Sequence, residues 1–165
     1  MPGLEDPRQP PQDRQNRMND PDSKLFTLSE AEKTRAELEP SLIEAMESRR
    51  KMADLEATLL ALTERIVRMG GVSIPYEKTA ETRIERDRVA ASLQDAIDRI
   101  HSTGCVVKDL DVGLLDFPAR MDNQNVYLCW RLGEDRIRFY HRQDEGFASR
   151  KPIDPRDKDY SSPIQ

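Results

Sequence analysis

His141 is followed at its third and fourth positions by Asp144 and Glu145, an imidazole and two carboxylates within one turn of chain. Those groups are the donors of a zinc- or iron-class ion, and they are also the commonest acid–base pair. Glu134 is a fourth donor by type. It sits in the turn at the far end of the strand that carries His141, and seven residues at ~3.3 Å each put the two roughly 20 Å apart. The competing reading keeps His141 on a buried sheet face, hydrogen-bonded to a neighbouring carboxylate or carbonyl, with Asp144-Glu145-Gly146 as a turn. The chain has two His, His101 and His141, and neither belongs to an HExxH or Cys/His zinc pattern. No metal, cofactor or catalytic residue is assigned on these grounds.

A second constellation is basic. Arg131 is expected opposite Arg138 with Asp116 beside them, and Arg120 and Arg142 one row away around Tyr127. Like charges opposed across strands repel unless something answers them. A phosphate or carboxylate would answer both, because guanidinium groups grip oxyanions in pairs. The alternative is a solvated ladder, with Asp116 as counter-charge and Arg stems lying over Tyr127 and Tyr140. Cys129 is either a thiol activated by a nearby Arg or a small apolar filler. The candidate ligand-binding residues are therefore Asp116, Arg120, Arg131, Arg138, His141, Asp144 and Glu145. Phosphate loops rich in glycine and nucleophile-elbow patterns are absent from the sequence.

Most of these residues lie between Gly113 and Ile153, a stretch that holds the only Trp and three of the four Phe. Leu115, Phe117, Ala119 and Met121 alternate with other residues, as do Val126, Leu128, Trp130 and Leu132, and then Ile137 and Phe139. That is the period of half-buried strands. Asp122 to Asn125 and Gly133 to Arg136 are turn chemistry at hairpin spacing, so a three-stranded antiparallel meander is predicted. Two-residue loops at Asn123-Gln124 and Glu134-Asp135 would set Phe117, Trp130 and Phe139 in one buried row and Ala119, Leu128 and His141 in the next. The other face would carry Asp116, Arg131 and Arg138, then Pro118, Cys129 and Tyr140, then Arg120, Tyr127 and Arg142. Pro118 lacks an amide proton and predicts an edge strand or an outward-pointing amide. Val106 to Leu110 is an extended lead-in that can add a strand.

The first half of the chain must hold this sheet. Thr27 and Ser29 each have a Glu three residues on, the spacing of a capping box. Pro40 either kinks the helix that follows or opens a new one. Ser41 to Met69 reads as helix, stopped by Gly70-Gly71, with Met52, Leu55, Leu59, Leu62, Ile66 and Met69 stepping by three and four. A second helix follows from about Thr79 to Thr103, closed by Gly104, with Val89, Leu93, Ala96 and Ile100 as its stripe. The connector is too short for anything but an antiparallel return.

The fold class is thus α+β: a long helical hairpin packed on a small meander. Residues 24–153 form one domain, with 24–104 the hairpin and 105–153 the meander. Residues 1–23 are Pro-rich and polar, which predicts a disordered tail, and 154–165 a flexible one. Net charge is −5 with pI near 5.2, which speaks against a nucleic-acid surface built on bulk charge. No segment has the length for a signal peptide or a bilayer span, and two distant Cys read as reduced thiols, so a cytoplasmic protein is expected.

Several words in the chain resemble a bacterial family of uncharacterised proteins, domain of unknown function 2203. They are Phe26-Thr27-Leu28, Gly113-Leu-Leu-Asp-Phe-Pro-Ala-Arg120, Leu128-Cys-Trp-Arg-Leu-Gly-Glu134, Tyr140-His141, Asp144-Glu-Gly-Phe147 and Arg150. The resemblance covers roughly Leu25 to Ile153 and implies a shared fold without a named activity.

Three function classes follow. The first is a protein-interaction or scaffolding module without catalysis. The second is a small-ligand or metal-binding protein, or an enzyme, using the His141 to Glu145 end. The third is an anion or nucleic-acid contact through Arg131 and Arg138, with an acidic or phosphate-bearing partner. A homodimer through the hairpin is expected as well. Ser41 to Met69 spans ~43 Å as a helix, whereas three strands cover only ~14 Å by ~23 Å. Leu42, Ile43, Met46, Leu60 and Val67 supply apolar surface outside the seam, and such a strip marks an interface.

Overall fold

The structure, a computed structural model, describes residues 23–70 and 76–154. Most of both expected tails and residues 71–75 of the hairpin connector lie outside the described residues.

Helix α1 (Leu28–Arg68) starts where the sequence predicts. The Thr27 hydroxyl accepts from the Glu30 N–H at 3.1 Å, and the Glu30 carboxylate accepts from the Thr27 N–H at 3.0 Å. That reciprocal box satisfies two amides that the first turn leaves without partners. Glu32, the acid of the second potential box, instead accepts the Ile137 N–H and so ties the helix to the sheet. The helix runs through Pro40. A mid-helix proline costs about 3 kcal/mol. Leu38, Leu42 and Met46 are buried around it, each worth about 1.5–3 kcal/mol, so packing outweighs the lost hydrogen bond. Gly70, at φ +64°, ends the helix as expected.

Helix α2 (Tyr76–Ser102) begins three residues before the predicted start and returns antiparallel to α1. Lys51 pairs with Glu85 and Arg99 with Glu44 across the hairpin.

The sheet has five strands rather than three, all antiparallel and in chain order. They are β1 (Val106–Asp109), β2 (Leu114–Met121), β3 (Gln124–Arg131), β4 (Phe139–Arg142) and β5 (Lys151–Pro152). The lead-in Val106 to Leu110 supplies β1. β5 follows a single 3-10 turn, Phe147–Ser149.

Both predicted registers shift, with unequal consequences. In the β2–β3 hairpin Leu115 faces Trp130 and Phe117 faces Leu128. The two-residue loop is Asp122-Asn123, at φ +47° and +60°, because Asp and Asn tolerate the left-handed region that a tight hairpin turn requires. The slip is two residues, so every side chain keeps its face.

Between β3 and β4 the slip is one residue: Tyr127 faces His141 and Cys129 faces Phe139. Residues 132–138 form a seven-residue loop in place of the two-residue turn. Trp130 Nε1 donates to the Glu134 carbonyl at 2.9 Å, and the Arg131 amide donates to the Glu134 carboxylate. The loop also buries Ile137, which the alternation pattern had placed in a strand. A one-residue slip inverts a strand, so Phe139 and His141 leave the Trp130 face. The predicted rows Phe117–Trp130–Phe139 and Ala119–Leu128–His141 do not form.

The Trp130 face carries the main core. Leu115, Phe117, Ala119, Val126, Leu128 and Trp130 pack with Phe26, Leu38, Leu42, Met46 and Ile100. Phe26 meets Phe117 edge-on at 5.4 Å, and its N–H donates to the Pro118 carbonyl at 2.7 Å. N–H and C=O of one strand residue point to the same side, so the amide that Pro118 lacks would have faced this open edge, as the sequence implies.

Fully buried helical side chains are concentrated at the sheet end of the hairpin. The buried residues of α1 are Ala31, Leu38, Leu42, Ala45 and Met46. Beyond Met46 the helix continues to Arg68 with no buried residue. Of the predicted seam, Met52, Leu55, Leu59, Leu62 and Ile66 are half-buried, whereas Met69, past the helix end, is 51% exposed. Leu60, Val67, Tyr76 and Ile84 are 62%, 76%, 75% and 60% exposed.

Candidate functional site

The inverted β4 builds a second, polar core on the face opposite Trp130. Asp116 on β2, Cys129 on β3 and His141 on β4 stand on three adjacent strands, and all three are buried. One ligand-type atom from each lies within 4.8 Å of the other two. His141 Nε2 is 3.2 Å from both carboxylate oxygens of Asp116, and His141 Nδ1 is 2.9 Å from the Arg142 carbonyl. The Tyr127 ring lies beside the imidazole, 5.4 Å between centroids.

The cover is the segment between β4 and β5. The Arg150 guanidinium lies over the rings of Phe139 at 4.3 Å and Phe147 at 4.1 Å, and it pairs with Glu134 at 2.9 Å. Six of these residues belong to the words that carry the family resemblance: Asp116, Cys129, Glu134, His141, Phe147 and Arg150. Far apart in the chain, they meet at one face.

Electrostatics separate the two kinds of group. Burial pushes the Cys129 thiol up to about 12, and the Asp116 charge adds to this. The Arg150 charge and hydrogen bond oppose it. Cys105 is raised likewise, by burial and then by Asp116. Both stay protonated at neutral pH, and a nucleophilic cysteine needs its thiolate. Burial pulls His141 down, but the hydrogen bond and charge of Asp116, with the Arg142 carbonyl, carry it above its ordinary value.

A carbonyl only accepts, so Nδ1 carries a proton and donates to Arg142. Nε2 is taken up by Asp116. No imidazole nitrogen remains to receive the Cys129 proton, which is the step a cysteine–histidine nucleophile requires. What the face holds is a buried carboxylate–imidazole pair with a protonated thiol beside it.

The sequence-predicted residues divide sharply. Asp116 and His141 belong to this cluster, although His141 was expected on the other face and Asp116 was expected to answer Arg131. Asp144 is exposed and not part of the cluster, and the Glu145 carboxylate accepts from the Arg142 amide and pairs with Lys151 at 3.1 Å. The expected opposition of Arg131 and Arg138 does not exist. Arg131 faces Leu114 and lies over Phe147 at 5.8 Å, whereas Arg138, in the 132–138 loop, pairs with Asp135 at 2.8 Å. Arg120 is exposed at the β2–β3 hairpin end opposite Asn125. Cys129, which the sequence leaves open between activated thiol and filler, and Arg150, there only part of a motif, also belong to this face. Their relevance depends on the β4 register, which local alternation does not encode.

The family model for the uncharacterized conserved proteins DUF2203 matches residues 24–153. The chain belongs to this family. The DUF2203 match spans the hairpin, the sheet and the cover segment together, and so includes every residue of the buried cluster. No curated protein and no solved structure matches the chain. Among the described residues no helix is long and apolar enough to cross a membrane.

Proposed function

We propose that this DUF2203 protein is a non-catalytic interaction protein that pairs with a second copy of itself through the distal arm of its hairpin. The observation that carries this reading is the burial pattern of α1, in which no residue after Met46 is buried. Residues 47–68 form a rod of ~33 Å, backed by the half of α2 nearest the connector. A two-helix ribbon hides only its facing seam. Leu60, Val67 and Ile84 remain outside it.

A second copy is favoured over an unrelated partner by the charge pattern. Ala57 to Thr63 is a run of seven uncharged residues in a chain that is 35% charged. Around a two-fold axis each residue meets its own duplicate, so any charge there meets a like charge. Along α1 an axis at mid-arm meets no like charges, with Arg83 and Arg86 of α2 beside the run. A face of ~33 Å by ~20 Å gives roughly 650 Å² per copy and roughly 1,300 Å² in total, within the range of specific interfaces. The free thiols Cys105 and Cys129 support a reducing compartment, and the cytoplasm is the proposed location.

Light scattering on the full chain across a micromolar dilution series tests this. A mass of twice 19.0 kDa is expected. A mass of 19.0 kDa at every concentration would sink the reading.

A further inference from the structure

We propose that Asp116, Cys129 and His141 form a site for one divalent transition-metal ion of the zinc class, independent of the arm and its pairing. The donor set is the first argument. One carboxylate oxygen, one thiol sulfur and one imidazole nitrogen, each from a different strand, converge within 4.8 Å. Calcium and magnesium take oxygen ligands. A mixed sulfur, nitrogen and oxygen set suits zinc and its neighbours, with three protein ligands leaving one tetrahedral position to water or another small ligand.

The second argument is the spacing. His141 Nε2 stands 3.2 Å from each Asp116 oxygen. That distance holds a hydrogen bond. Two ligands ~2.0–2.1 Å from one tetrahedral ion stand roughly 3.3 Å apart, so an ion takes the place of the Nε2 proton with little movement of either side chain.

The third argument is orientation. The Nδ1–H of His141 is held by the Arg142 carbonyl at 2.9 Å, the outer contact that metal-bound histidines make, which aims Nε2 as the ligating nitrogen. Arg150 is placed comparably toward Cys129 and is itself neutralised by Glu134 at 2.9 Å.

The charges balance. A divalent ion bound by one carboxylate, one neutral imidazole and one thiolate carries no net charge, so the buried face gains no uncompensated charge.

Cobalt(II) titration of the full-length, chelator-stripped protein tests the site, because cobalt reports its ligands by colour. One equivalent should bind, with a thiolate-to-cobalt band in the near ultraviolet and tetrahedral visible bands, and one equivalent of zinc should bleach both. Cys129→Ser should abolish the thiolate band, whereas Cys105→Ser should keep it. Thermal melts with and without zinc separate ligand loss from misfolding. Wild type and Cys105→Ser should shift upward with zinc, and a folded Cys129→Ala should not. The proposal is overturned by substoichiometric uptake, by a cobalt spectrum without a thiolate band, or by a band that survives Cys129→Ser. A folded Asp116→Asn or His141→Gln that binds as tightly as wild type would also overturn it.

Discussion

His141 donates from Nδ1 to Arg142 and turns Nε2 to Asp116, so its proton is coupled to folding. Burial works against the charged ring, but Asp116 and the Arg142 carbonyl outweigh it, with Lys108 opposing from β1, and the folded pKa lies above the ordinary 6.5. The folded state therefore holds this proton more tightly than the unfolded chain does. The stability it supplies is complete below the unfolded value and is lost as pH rises through the higher folded value. In chelator, urea midpoints should fall from pH 6.5 upward, and His141→Gln should flatten that limb. A midpoint that rises across the same window would contradict the raised pKa of His141. Gly113 sets a second single-residue test. It sits at φ +69°, and a Cβ there would lie 2.8 Å from Leu132 Cβ and 2.9 Å from Met46 Sδ. Gly113→Ala adds backbone strain to a clash between helix and sheet, and should cost about 2 kcal/mol or more in denaturant unfolding.

Among the elements, the hairpin contains an avoidable penalty. Among the described residues, the buried Thr79 hydroxyl finds no hydrogen-bond partner. Val has the same shape without the polar group, so Thr79→Val should stabilise by about 1 kcal/mol, read as a higher urea midpoint. The helices themselves were largely legible in the sequence, because caps and stops are local: Thr27 with Glu30, then Gly70 and Gly104. The parity of β2 and β3 was legible too, since alternation over eight residues fixes a face. The orientation of β4 was not. It depends on a seven-residue loop that is held by Trp130 next to it and by Glu32 of α1, far away in the chain. With β4 inverted, His141 moved from an apolar row to a polar cluster, and the Arg131–Arg138 pair dissolved. Pro40 was ambiguous for a related reason, because the packing of Leu38, Leu42 and Met46 that overrides it is tertiary.

For the molecule as a whole, the sheet covers one end of the hairpin, and the arm beyond it carries the uncharged run Ala57 to Thr63. Leu60 lies at its centre and is 62% exposed. Leu60→Glu places two carboxylates near the proposed two-fold axis. It should convert the pair to monomers at micromolar concentration while leaving helix content and the urea midpoint of the sheet body nearly unchanged. Because the contact is apolar at its centre, raising salt from 0.05 to 0.5 M, roughly threefold in Debye length, should not dissociate the wild-type pair. Dissociation by salt alone would mean that the arm associates through its flanking charges.

The narrow flanks of the sheet limit how this protein can aggregate. On one side β1 is four residues long, with its ladder broken between Val107 and Asp109, and beyond it Phe26 occupies the Pro118 carbonyl. On the other side β5 is two residues long and ends in Pro152, which has no amide proton to offer. Growth into fibrils needs a long row of unpaired backbone groups, and neither flank presents one. A strand from another molecule therefore finds no template here. Concentrated solutions should remain clear and free of thioflavin-positive material.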